Sequence, residues 1–251
     1  MSMVMSLRIQ AEGVQVEHHG KVVVALNYLD MCGPGWFGII GANGAGKTTL
    51  LRAMCGRLPL AAGQFYLGNS KVPAQRQELA RHIGFMPDVT HLPLDMSGKD
   101  LAKLVAEQLG QPTLALSLAP LRQALGVERF WHRPVGQYSA GMKQRVALYC
   151  AFAGGQKLVV LDEPFNWLDP VSLFDVKECL NSMAQQDYLL ITTLHEPLAF
   201  LQFCKAGMLL ESGHTRLVLD ESKMAAFKEG SPIDFERYVV TSLRREAKDT
   251  V

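Results

Sequence analysis

The stretch Trp36 to Leu51, WFGIIGANGAGKTTLL, narrows the possible folds more than any other part of the chain. Phe37, Ile39 and Ile40 predict a short apolar strand, a glycine-rich turn follows, and Lys47 and Thr48 open a helix. Gly41, Gly46, Lys47 and Thr48 fit G-x-x-x-x-G-K-[ST]. A loop built on Gly41, Gly44 and Gly46 can take positive φ and lie against a bulky anion, with its amides and the free N–H groups of the helix start pointing inward. Such a nest holds a phosphate chain. Lys47 then reaches the outer phosphates as a flexible point charge, and the Thr48 hydroxyl takes one position on Mg²⁺, which prefers oxygen ligands.

A second constellation sits at Leu158-Val159-Val160-Leu161, four unbroken apolar residues that predict a parallel strand buried on both faces. Asp162 and Glu163 follow at its carboxyl end, where open α/β sheets bind ligands. Asp162 suits holding Mg²⁺ through its waters and Glu163 orienting and deprotonating an attacking water; two acids favoured by the next helix dipole are the plainer alternative. A further strand, Tyr188 to Thr192, delivers Thr193, Leu194 and His195 to the same edge, which makes His195 a candidate γ-phosphate contact. Ser139 and Gly141 introduce a helix with apolar Met142, Val146, Tyr149, Cys150 and Ala153, either simply capped or suited to an anion.

The rest of the chain is organised around these. Leu7 and Ile9, Val14 and Val16, and Val22 to Leu26 predict three short strands of an antiparallel flank, with His19 on a loop as a solvated turn residue or a base-stacking one. Gln64 to Leu67 and Ile83 to Met86 predict more of that flank. From Asp88 to Gln137 the character becomes helical, with Ser97 as N-cap, Leu101, Leu104, Val105 and Leu109 on one face, and breaks at Pro112, Pro120 and Pro134. This predicts an inserted lobe with a small core of its own. Asp169-Pro170 predicts a helix running to Met183, Gly207 to Leu219 a hairpin, and Asp234 to Lys248 a helical tail with Phe235, Tyr238, Val239 and Ser242 or Leu243 near one face.

In 251 residues, 48% hydrophobic, 20% charged and with a net charge of +1, bulk electrostatics argue against a mainly nucleic-acid partner. Five dispersed cysteines without a C-x-x-C pair predict a reducing compartment, no disulfide framework and no zinc site. The start, MSMVMSLRIQ, predicts no secretion signal, and no apolar run is long enough to span a membrane.

The order of these motifs resembles the ATP-binding cassette (ABC) ATPases over nearly the whole chain. Gly41, Ala42, Asn43, Gly44, Ala45, Gly46, Lys47, Thr48 and Thr49 look like Walker A, Leu158 to Pro164 like Walker B, and Asn166 to Asp169 like the D-loop. His195 stands in the switch-histidine place and YSAGMKQR, Tyr138 to Arg145, resembles the signature motif. The resemblance implies an α/β P-loop NTPase (RecA-like) fold, with a mostly parallel core sheet, an antiparallel β flank and an inserted α-helical subdomain. The expected single domain, 1–251, divides into 1–87, 88–153 with the signature, 154–230 and a tail 231–251. It also implies ATP and Mg²⁺, with catalytic Lys47, Glu163 and His195. Ser139 and Gly141 would serve the γ-phosphate held by the other subunit of a head-to-tail dimer, and a polytopic permease on a separate chain would attach the dimer to the cytoplasmic face of a membrane. The cassette is most similar to exporter-type bacterial systems; rival readings are remodelling of nucleic acid or ribosomes and a regulatory module without turnover. Four positions depart from the pattern, one of them Met142 in place of the signature glutamine. Asp88 stands for the Q-loop glutamine, where a carboxylate can still hold the metal's water; His19 stands for the stacking tyrosine, and Ala140 for the first signature glycine.

Overall fold

The computed structural model describes residues 7–68, 70–71, 79–110 and 118–244. Pro112 and the last residues of the expected tail, Lys248 included, lie outside them. Among the described residues ten strands form one mixed sheet, and the phosphate loop emerges from its middle.

Strands β1 (Arg8–His18), β2 (Lys21–Cys32), β4 (Ala62–Leu67) and the short β5 (Ser70–Lys71) pair antiparallel. The three short strands expected before Met31 are two long ones. Buried Ile9 and Ala11 give way to Val14 and Val16, and opposite them Leu26 and Val24 give way to Leu29 and Met31. Both strands change parity at one level, where Gly13 takes φ +56°, so the inward set stays inward through an irregularity that reads in sequence as a break.

The other half is β3 (Gly35–Ile40), β6 (Ile83–Phe85), β7 (Leu158–Leu161), β8 (Leu189–Leu194) and β9 (Ala206–Glu211), parallel in the order β9-β3-β8-β7-β6. Strand β10 (His214–Leu219) folds back on β9 and joins β2 through one parallel pair, His214 with Ala25. The expectation that Ile83 to Met86 belongs to the flank is therefore corrected: β6 pairs parallel with β7 at the far edge, because Ile83 is buried against Leu158 and Val160 rather than standing over a wet face.

Helix α1 (Lys47–Met54) covers one face of the sheet with Leu50, Leu51 and Met54. The other face carries α2 (Gly98–Gln108), α3 (Ala119–Leu125), α4 (Ala140–Phe152), α5 (Pro170–Gln186), α6 (Pro197–Phe203), α7 (Glu221–Glu229) and α8 (Pro232–Arg244). Ser97, Ser139 and Asp169 cap α2, α4 and α5 with side-chain oxygens, satisfying N–H groups that a helix start leaves free. Among its described residues the lobe has no separate core. Leu101, Leu121, Trp131 and Val135 belong to one continuous cluster with Val159, Leu161 and Leu190 of the sheet, because α4 is buried on nearly every side. Leu104 stays exposed, and α7 was not foreseen. The tail docks on its own chain, with Phe235 and Val239 buried against α6 and α7.

Candidate active site

Between β3 and α1 the loop turns with Gly44 at φ +81° and Gly46 at φ +95°, angles in which a Cβ is strained. A Cβ on Gly41 would stand 2.2 Å from the Leu210 carbonyl, so β9 presses directly on the loop. The Ala45 carbonyl accepts from the Gly213 N–H at 3.0 Å, and the Gly213 carbonyl accepts from the Ala25 N–H at 2.8 Å. The β9–β10 turn thereby straps the loop to the flank. Lys47 is buried, and its Nζ donates to the carbonyls of Gly41 (2.7 Å) and Ala42 (3.1 Å). Burial pushes its pKa down, and the nearby Glu163 and Asp162 counter only part of that.

Asn43 to Thr49, with Val23, Glu163, Asn166 and His195, enclose an open cavity of about 720 Å³. The end of β7 delivers Asp162 and Glu163, and the end of β8 delivers Thr193 and His195. Thr193 Oγ1 donates to Asp162 Oδ1 at 2.9 Å and accepts from the Glu163 N–H at 2.7 Å, so one buried hydroxyl fixes both. Glu163 turns at φ +47°. Its Oε1 lies 2.9 Å from His195 Nε2, its Oε2 accepts from Asn166 Nδ2 at 2.7 Å, and its carbonyl accepts from Gln144 Nε2 at 2.9 Å. Burial pushes the Glu163 carboxyl up, but Asn166, His195 and Lys47 outweigh it and hold the group below the usual carboxylate range.

A neighbouring cavity of about 240 Å³ brings Thr48, Asp88 and Asp162 together. One hydroxyl and two carboxylates are hard oxygen donors, a set that fits Mg²⁺ with several waters retained. The Asp88 carboxylate already accepts from Thr90 Oγ1 (2.6 Å) and N–H (2.9 Å), which hold it below the carboxylate range, and Arg52 lies 3.5 Å away. His19 stands at the β1–β2 turn, edge-on to His18 and outside the lining of the large cavity. Ser139 and Gly141 are outside it too. In sequence, Thr193 stands only at the sheet edge, Gln144 in the signature-like stretch and Asn166 in the D-loop-like one; nothing local signals their bonds to Asp162 and Glu163.

The profile of the family described as ABC transporter matches residues 33–166, more than half of the chain. The chain belongs to the ABC transporter family. The chain is 30% identical over 159 residues to the lantibiotic transport ATP-binding protein SrtF of Streptococcus pyogenes, covering 63% of this chain and 67% of that protein. It is 29% identical over 189 residues to the Nod factor export ATP-binding protein I of Sinorhizobium fredii, covering 74% of this chain and 55% of that protein. An ATP-binding cassette solved as a dimer in a post-hydrolysis state, bound to ADP and Pi, superposes with a TM-score of 0.71 at 19% identity, over 85% of this chain and 98% of that one. Among the described residues no helix is long and apolar enough to cross a membrane.

Proposed function

We propose that this chain is the ATP-hydrolysing subunit of an exporter-type ABC transporter. The reading rests above all on the Asp162–Thr193–Glu163–His195 cluster at the mouth of the phosphate-loop cavity. The loop amides and Lys47 bind the triphosphate, Lys47 exchanging its two carbonyl partners for phosphate oxygens. Mg²⁺, when bound near Thr48, Asp162 and Asp88, neutralises charge on the β- and γ-phosphates. Glu163 takes a proton from the attacking water as its oxygen bonds to the γ-phosphorus; the bond to the β–γ bridging oxygen breaks, and ADP leaves with the electron pair. His195 orients Glu163 and contacts the γ-phosphate.

Ser139 and Gly141 form a helix start that does not line its own phosphate cavity, which supports two copies arranged head to tail, each completing the other's site. The single domain 1–251, with its core in 1–87 and 154–230, lobe in 88–153 and tail in 231–251, meets a membrane permease on a separate chain at the cytoplasmic face. The surface from Asp88 to Leu94 and the lobe receive it; Leu94 and Leu104 are exposed there. His19 offers its ring to the adenine.

The test is phosphate release and light scattering of the full chain with ATP and Mg²⁺. Glu163→Gln should lower turnover at least about a hundredfold, the scale of a general base, while ATP still binds and holds a dimer. Turnover that survives the substitution overturns the reading of Glu163, and a monomer under those conditions overturns the shared site.

A further inference from the structure

Gly141, Gln144 and Arg145 are spaced i, i+3 and i+4 on α4 and so share one face. Each meets a different point of the segment 163–169. A Cβ on Gly141 would stand 2.6 Å from the Trp167 carbonyl oxygen, so helix and segment touch main chain to main chain. Gln144, only 1% exposed, gives its Nε2–H to the Glu163 carbonyl at 2.9 Å. Arg145 Nη2 donates to Asp169 Oδ2 at 2.6 Å, and Asp169 in turn caps α5 through the Ser172 N–H and hydroxyl.

A buried amide without a partner is costly, and Gln144 directs its donor at the main chain of the residue that carries the hydrolytic carboxylate. Glu163 needs that support. Its φ of +47° is disfavoured for any residue with a Cβ, and it is held from both sides, its N–H by Thr193 and its carbonyl by Gln144.

We propose that Gln144 is a positioning residue for hydrolysis: together with Arg145 it clamps the Glu163 to Asp169 segment onto α4. The helix that offers Ser139 and Gly141 to one triphosphate thereby sets the aim of the carboxylate at another. Gln144 does not line the phosphate-loop cavity; it borders the neighbouring cavity of Thr48, Asp88 and Asp162 and gives its amide hydrogen to the Glu163 carbonyl, so its effect falls on the chemical step. The inference rests on Glu163 being the residue that activates water.

Gln144→Met keeps length and apolar bulk and removes the amide donor. In the full chain with ATP and Mg²⁺, kcat should fall about tenfold or more, as expected of a displaced catalytic group, while the Kd for ATP stays within about twofold. Arg145→Ala should move kcat the same way, and Arg145→Lys should restore most of it, which keeps the test open if Gln144→Met does not fold. Wild-type kcat in Gln144→Met beside an inactive Glu163→Gln overturns the clamp and leaves the role of Glu163 standing; turnover surviving in Glu163→Gln overturns both. A loss of ATP affinity parallel to the loss of kcat also overturns the clamp, because it places the effect at the phosphate loop or in the fold at large.

Discussion

The Trp36 indole donates its Nε1–H to the Thr192 hydroxyl at 2.7 Å across the pair β3 and β8, in a place where both side chains are essentially inaccessible to water. The ring also packs against Phe165, two residues beyond Glu163, and against Phe203 of α6. Thr192→Val keeps the shape and leaves the indole N–H buried without an acceptor. The expected loss is about 1–3 kcal/mol, or roughly 2–10 °C in Tm for a chain of this size. Thr192→Ser should lose less than Thr192→Val, and a thermal melt of Thr192→Val that coincides with wild type would show that the indole has another acceptor.

Trp167 combines φ +59° with 60% exposure. A side chain in the left-handed region costs about 1–2 kcal/mol, and an exposed indole returns little packing to offset it. Glycine relieves the strain but frees the unfolded chain by about 0.4–1 kcal/mol. Trp167→Gly should therefore stabilise the isolated chain by roughly 0.5–1 kcal/mol. Denaturant midpoints decide it; a destabilised variant would mean that the ring packs more than its exposure indicates.

Asp169 is held at a pKa of about 2, first by the Ser172 hydroxyl and N–H and also by Arg145. An aspartate in the unfolded chain titrates near about 3.9. The folded value is the lower one, so the carboxylate stabilises the fold fully above pH 4 and loses that contribution as pH falls toward about 2. Compared with Asp169→Asn by urea midpoints, the wild-type advantage should be constant at neutral pH and shrink across that acid window. A difference that stays flat through it would remove the charge from the account of this cap.

Much of the site was legible because its parts are local. A glycine loop between an apolar strand and a helix needs only its own residues, and so do the caps at Ser97, Ser139 and Asp169, whose acceptors bond N–H groups three positions away. The two acids after Leu161 could be placed at a sheet edge for the same reason: a fully apolar strand ends there. The order of the motifs carried the family as well.

Other features depended on residues distant in the chain. Thr193 reaches Asp162 across 31 positions and Gln144 reaches Glu163 across 19, and nothing in either neighbourhood marks those pairings. The parallel edge place of Ile83 to Phe85, the fusion of the lobe with the sheet's core and the capture of Asp88 by Thr90 and Arg52 are likewise settled by what packs alongside. The sequence by itself determined which chemical groups are present and which turns and helix starts present them. Only the tertiary structure decided which hydroxyl, amide and imidazole hold the Glu163 carboxylate and its main chain, since short-range backbone preference places a residue in its element and the burial of distant elements selects its partners.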